Sequence, residues 1–268
     1  MIALVTGASS GIGEAAARRI AREPGAMLIL VARREDRLRA LADEIGGGAK
    51  VVAVDLTDDD APARVAEVVG DELHLLVNNA GAAWRGRFHE TGWENIQRHM
   101  QLNFDATVRL TEALLPALRK SARGHTPTQS VGPAIVNVAS TASRVARANS
   151  GAYSAAKFAV AGWTDALHLE EKPHGVHVGL VLPGFVATEG FPQKELVSNP
   201  RTRWIVSTPA KVADAIWDAG PGGRAERYVP RAYGLAAALR IVAPSLTRRV
   251  LGGGADFTPS TGGDQPSS

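Results

Sequence analysis

The run TGASSGIG, Thr6 to Gly13, constrains this chain more than any other stretch. It follows an apolar stretch at residues 2–6 and leads straight into the helical pattern EAAARRIARE. An apolar run without alternation suits a parallel strand buried on both faces. Glycines at 7, 11 and 13 permit a tight turn and let the backbone approach a pyrophosphate, whose charge is favoured at a helix N-terminus. A plain glycine turn would give the same local geometry. A second strand, MLILVA at 27–32, returns on schedule for a βαβ unit, however, so the turn is read as a nucleotide site in an α/β fold. Its spacing is GxxxGxG rather than the GxGxxG of the larger dehydrogenases.

The second strand ends where such a fold meets the adenosine ribose, and there the sequence has Ala32, Arg33 and Arg34. A carboxylate at this point would accept bonds from a 2′-hydroxyl and repel a 2′-phosphate, whereas guanidinium groups pair with the phosphate. The expected cofactor is therefore NADP(H) rather than NAD, with Arg33 the better candidate. The alternative is that both arginines merely open the solvated helix REDRLRALADEI. The third strand, KVVAVDL, delivers Asp55 and Leu56, where a carboxylate could accept a bond from the adenine amine or simply cap the next helix. The fourth, HLLVNNAG, ends in Asn78, Asn79, Ala80 and Gly81, small enough to leave room for a ribose.

Tyr153 and Lys157 stand four residues apart at the head of an Ala-rich helical stretch, one turn apart on one face. A phenol titrates near ~10, so holding it partly ionised near neutrality takes a shift of roughly three units, about 4 kcal/mol. A nearby ammonium and a cationic cofactor could supply it. Upstream, the strand AIVNVAS delivers Ser140. YxxxK alone is weak and could be a helix-start tyrosine with a solvated lysine.

Taken together and in order, TGASSGIG, NNAG, Ser140, YSAAK and PGFVAT resemble the short-chain dehydrogenase/reductase family over roughly residues 1–190. The resemblance implies a three-layer Rossmann fold: a doubly wound parallel sheet of about seven strands with helices on both faces. It implies that Gly7, Ser9, Ser10, Gly11, Ile12 and Gly13 line the pyrophosphate and neighbouring ribose. Asp55 and Leu56 would hold the adenine, and Asn79, Ala80 and Gly81 would lie along the cofactor. Pro183, Gly184, Val186 and Thr188 would serve the nicotinamide. It also implies a catalytic set of Asn103, Ser140, Tyr153 and Lys157. By that resemblance Tyr153 would exchange the substrate's proton, Lys157 would lower the phenol's pKa and bind ribose hydroxyls, and Ser140 would bond the substrate oxygen. Asn103 falls in a long helix where an amide is a poor helix former, and the resemblance implies that it would distort that helix and hold a relay water. The implied reaction interconverts a secondary alcohol and a ketone. The other readings are an NADP-binding regulatory protein without chemistry, and an epimerase or dehydratase on the same scaffold.

The substrate is the least legible feature. Residues 82–92 read as a loop at the carboxyl ends of the strands, where open α/β sheets bind ligands. Trp84, Phe185 and Phe191, with Phe88 and Trp204, suggest a bulky apolar molecule, although aromatics also anchor loops. The chain reads as one domain over residues 1–251, with 189–208 as substrate lid. Residues 231–251, apolar with basic residues and broken by Pro244, form a helical extension, and 252–268 a disordered tail. The extension is expected to cover the pocket or contact another subunit of a homodimer or homotetramer; membrane contact is the less favoured reading.

Composition excludes several classes. With no cysteine there are no disulfides, thiolate metal sites or cysteine nucleophile. His174 and His177 are the closest pair among seven histidines, without an acidic partner at ligand spacing, so no metal is expected. The net charge is +3 and the arginines are scattered, unlike a nucleic-acid footprint. IALVTG reads as a strand and turn rather than a signal peptide, no apolar run is long enough to span a bilayer, and a cytoplasmic enzyme is expected.

Overall fold

The computed structural model describes residues 1–124, 132–189, 196, 198–199 and 203–252. Seven parallel strands form one sheet in the order β3-β2-β1-β4-β5-β6-β9. They are β1 (Ile2–Thr6), β2 (Met27–Ala32), β3 (Lys50–Ala53), β4 (Leu75–Asn78), β5 (Ala134–Val138), β6 (His177–Pro183) and β9 (Glu226–Val229). A separate two-stranded ribbon pairs β7 (Phe185–Val186) with β8 (Val206–Ser207). Strand order reverses between β1 and β4, which opens a crevice at their carboxyl ends.

The pleat sends alternate residues to opposite faces, and both faces are dry. On one side Ala3, Val5, Leu28 and Leu30 pack under Ala16 and Ile20 of α1 (Gly11–Ala21) and Leu38 of α2 (Glu35–Ile45). Val212 and Ile216 of α7 (Pro209–Ala219) complete that layer. On the other side Leu4, Ile29, Leu76 and Ile135 meet Val65 of α3 (Ala61–Val69) and Leu110 and Leu114 of α5 (Ala106–Arg123). Leu167 of α6 (Gly151–Glu171) joins them, and α4 (Phe88–Met100) packs along α6. This is the three-layer α/β architecture with helices on both faces.

A buried polar ladder ties the middle of the sheet to the second layer. Asn78 and Asn137 are register partners on β4 and β5. Asn78 Nδ2 donates to Asn137 Oδ1 and to Thr111 Oγ1, each at 2.9 Å, and Asn137 Nδ2 donates to Thr164 Oγ1 at 2.9 Å. Buried amides need such partners, so the ladder fixes where α5 and α6 sit against the strand ends.

One stretch differs from the sequence expectation. The stretch 82–92 is not loop throughout, because α4 begins at Phe88 and carries a kink at Gly92, whose φ of 58° is left-handed. The next long helix is interrupted by a π-helix over Gln101–Asp105, which sets Asn103 apart from the regular ladder. At the C-terminus, the chain breaks at Ala243, before Pro244, into α8 (Tyr233–Val242) and α9 (Pro244–Gly252).

Candidate active site

The strand ends open into a cleft of about 630 Å³. One end of it lies over β1, β2 and β3. There Gly7 has a φ of 66°, a conformation that costs glycine little, and a Cβ on it would stand 2.9 Å from Asn79 Nδ2. Gly13 does not line the cleft but lies beneath it, where a Cβ would come within 2.2 Å of the Gly7 carbonyl oxygen. The first turn of α1 can therefore press against β1, presenting backbone N–H groups without intrahelical partners toward the cleft. Thr6 organises the neighbouring strand end: its hydroxyl accepts from the amides of Asn79 and Ala80, both at 2.9 Å. Asn79 Nδ2 returns a bond to the Thr6 carbonyl at 3.0 Å. Ser9, Ser10, Gly11 and Ile12 line this end with Ala80 and Gly81. Thr188 lies across it, 3.2 Å from where a Gly11 Cβ would be.

Arg33 and Arg34 both reach the cleft but are held differently. The Arg34 guanidinium folds onto Ser9, with Nη2 donating to the Ser9 carbonyl at 3.2 Å and to its hydroxyl at 3.3 Å. Arg33 is largely exposed, with Nη1 3.5 Å from Asp55 Oδ2. Asp55 accepts from the Thr57 amide at 3.0 Å and from its hydroxyl at 2.8 Å. Burial raises its pKa, but the Thr57 bonds and Arg33 more than compensate and hold the carboxyl below its ordinary value. Leu56 lies beside it on the cleft wall.

The other end lies over β4, β5 and β6. Ser140, just past β5, accepts from the Ala142 amide at 3.1 Å and points its hydroxyl to the Pro183 carbonyl at 3.4 Å. Tyr153, in the first turn of α6, shares this wall with Ser140, Pro183, Gly184 and Val186. One turn on, Lys157 is buried and donates to the Val138 carbonyl at 2.9 Å. Asn103 is also buried, its Nδ2 donating to the carbonyls of Ala82 at 3.0 Å and His99 at 3.1 Å. Its Oδ1 is buried without a partner. A Cβ on Gly81 would stand 2.6 Å from that oxygen and 3.4 Å from Lys157 Nζ, so the orphan acceptor and the ammonium face one small space.

Tyr153 and Lys157 are both shifted by burial. Burial pushes the Tyr153 phenol up, and the groups that oppose it are Ser140 and the positive charge of Arg147. Lys157 Nζ sits 5.9 Å from the phenol ring centroid, and burial depresses its own pKa to about 8. Burial disfavours the charged form of both side chains.

The aromatic expectations also change. Trp84 does not border the cleft: its amide donates to His99 Nε2 at 3.0 Å, and the Arg98 guanidinium stacks 3.7 Å over its ring. His99, fully buried, donates from Nδ1 to the Asn95 carbonyl at 2.7 Å, so the pair anchors the loop to α4. Phe88 is exposed and borders nothing in the cleft. Phe185 does line it, with the Arg147 guanidinium 4.5 Å from its ring centroid. Phe191 lies outside the described residues. Arg85, Arg147 and Asn149, none singled out by a sequence motif, border the cleft as well.

The family model for short chain dehydrogenases matches residues 1–196. The chain belongs to the short-chain dehydrogenase family. Among curated members, the 3-oxoacyl-(acyl-carrier-protein) reductase of Vibrio cholerae is 34% identical over 215 residues, 78% of this chain and 82% of the relative. A ketoacyl reductase of Nostoc is 32% identical over 219 residues, 80% of this chain and 72% of that one. Among solved structures, a short chain dehydrogenase from Burkholderia cenocepacia in complex with NADP superposes with a TM-score of 0.77 at 26% identity, covering 93% of this chain and 96% of its own. The L-sorbose reductase of Gluconobacter frateurii, complexed with NADPH and L-sorbose, gives 0.71 at 28% identity, covering 85% and 93%. This short-chain dehydrogenase is thus an oxidoreductase, and its cleft fits a dinucleotide: the glycine cradle would be filled by any side chain, and Asn103 keeps an unpartnered acceptor at the Tyr153 end.

Proposed function

We propose that the chain is an NADP-dependent oxidoreductase that interconverts a secondary alcohol and a ketone, working chiefly as a carbonyl reductase. The observation that carries this reading is the meeting of Ser140, Tyr153, Lys157 and Asn103 in the same cleft as a helix N-terminus open to a pyrophosphate. A bound nicotinamide dinucleotide supplies the hydride. Tyr153 gives the proton: its raised pKa keeps the phenol protonated at neutral pH, the state that a donor to the substrate oxygen requires. Ser140 swings its proton from the long Pro183 contact to the same oxygen, which fixes the carbonyl beside the phenol. Lys157 holds the ribose hydroxyls, and the Asn103 oxygen orients a water from which Tyr153 is reprotonated. Arg33 and Arg34 take a 2′-phosphate, a reading supported by the NADP and NADPH complexes of the similar structures. Thr188 and the backbone at Val186 receive the nicotinamide carboxamide.

The test is Tyr153→Phe, assayed by NADPH oxidation with a panel of ketones and by NADPH binding. We expect turnover to fall by about a thousand-fold or more, as for loss of an acid–base group, while NADPH still binds. Near-normal turnover in the variant would reject the assignment.

A further inference from the structure

Beyond the phenol, the cleft contains two arginines for which hydride transfer alone has no use. Arg147 lies on the connection from β5 to α6 and Arg85 on the connection from β4 to α4; both border the cleft. The two connections are tied together, the Gly86 amide donating to the Asn149 carbonyl at 3.0 Å. Asn149 turns the chain there with a φ of 61°. The tie brings the two connections together at the cleft, and the charge on Arg85 counts against that on Arg147.

Among the described residues no carboxylate pairs with Arg147. The acids on that side, Asp165 and Glu226, lie 3.9 and 2.8 Å from Arg144 instead. Arg147 stacks on Phe185, and its field reaches Tyr153 and Tyr233. These two arginines also stand at the wrong end for the cofactor's phosphates, since the glycine turn, Arg33 and Arg34 lie over β1 and β2. Burial without a carboxylate partner among the described residues disfavours the charge of Arg147, the charge of Arg85 adds to that, and an anion bound beside Arg147 offsets both.

We propose that the substrate is an anionic oxo compound, whose carboxylate or phosphate is held by Arg147 and Arg85 while its carbonyl faces Tyr153 and Ser140. This rests on the carbonyl-reductase reading above and replaces the expectation of a bulky apolar substrate, for which Trp84 and Phe88 no longer speak. In the reaction the carbonyl carbon gains the hydride of the dihydronicotinamide, the oxygen gains the Tyr153 proton, and the anionic group is unchanged. Phe185, under Arg147, forms the floor that keeps the guanidinium plane facing the ligand.

The experiment titrates the NADPH-loaded protein with 2-oxoglutarate, with inorganic phosphate and with dimethyl 2-oxoglutarate, following the fluorescence of bound NADPH. The wild type should bind at least one of the two anions, and the neutral ester about ten- to hundred-fold more weakly than 2-oxoglutarate. Arg147→Gln and Arg85→Gln should each weaken the anion by about ten-fold or more, and Arg147→Lys should recover part of the loss. Preference for 2-oxoglutarate over phosphate marks a carboxylate substrate, and the reverse a phosphorylated one. NADPH oxidation with matched pairs of oxo acids and their esters should show the same ratio in kcat/KM, collapsing toward unity in Arg147→Gln. Saturable NADPH binding without any anion effect, or equal anion affinity in wild type and variants, overturns this inference and leaves the reductase reading standing. Failure of NADPH to bind overturns both.

Discussion

The two ends of the cleft are built on different principles. At the glycine turn over β1 the walls are backbone and small side chains, placed so closely that glycine is required: a Cβ at Gly13 meets the Gly7 carbonyl at 2.2 Å. Over β5 and β6 the walls include long side chains, Arg147 stacked on Phe185, with Arg85 on the connection from β4. The first end can accept one shape of ligand and has almost no latitude for substitution. The second is set by which side chains the loops carry, so it can be respecified without disturbing the sheet.

The largest effect should come from breaking the rigid end. Gly13→Ala forces either the α1 turn or β1 to move, because the atom in the way is backbone and cannot rotate aside. Overpacking of this kind costs about 1–3 kcal/mol, and the displaced N–H groups no longer meet a pyrophosphate. We expect NADPH affinity to drop by about a hundred-fold and the thermal midpoint to fall by several degrees. A fluorescence titration and a melting curve measure both. If the variant binds NADPH normally, the glycine end is more pliable than its geometry says, and the contrast between the two ends disappears.

The same contrast explains what could be read from the sequence. Gly7, Gly11 and Gly13 follow an apolar run and precede a helical one, so backbone requirements are written directly into residue type. Tyr153 and Lys157 are legible for a related reason, since one helical turn fixes their relative placement. Asn103 could be suspected as a poor helix former, but only the π-helix shows how its amide leaves the ladder. The Asn78–Asn137 pairing was hidden because register between β4 and β5 depends on the whole sheet. Arg147 and Arg85 are 62 positions apart in unpatterned loops, and nothing local foretells the Gly86–Asn149 bond that joins them. Trp84 misled for the opposite reason: an aromatic in a strand-end loop looks like a ligand contact until His99 and Arg98 are seen to hold it away.

A smaller effect separates the two arginines at the adenosine end. Arg33 is extended and exposed, whereas Arg34 spends its donors on Ser9. Arg33→Ala should weaken NADPH by about ten- to thirty-fold, the strength of an exposed charge-assisted bond, and leave NADH nearly unchanged. Arg34→Ala should weaken both, because it also frees the Ser9 turn. Parallel titrations with the two cofactors distinguish these outcomes. An equal loss for NADPH and NADH in Arg33→Ala would remove the 2′-phosphate reading and leave the rigid end specific for the dinucleotide but not for its phosphate.

Lys157 stands at the Tyr153 end, and its proton gives the smallest and most specific effect. Burial lowers its pKa to about 8 in the free chain. The folded protein therefore resists protonation there more than the unfolded chain does. The resulting destabilisation is complete below about pH 8 and is relieved as pH rises toward the ordinary lysine value near ~10.4. Ribose oxygens beside the ammonium favour its charged form, so cofactor binding above about pH 8 must draw a proton from solvent. NADPH affinity should consequently be level from pH 6.5 to 7.5 and fall by up to roughly ten-fold by pH 9, the limit for one linked proton. Lys157→Met should bind more weakly but without that fall. Affinity measured across this range, with proton uptake at pH 9 checked by calorimetry in buffers of different ionisation enthalpy, decides the matter. A wild-type profile that stays level through pH 9 would mean that Lys157 does not change its charge on binding. It would then act as a packing group on β5 rather than as the cation that links dinucleotide to phenol.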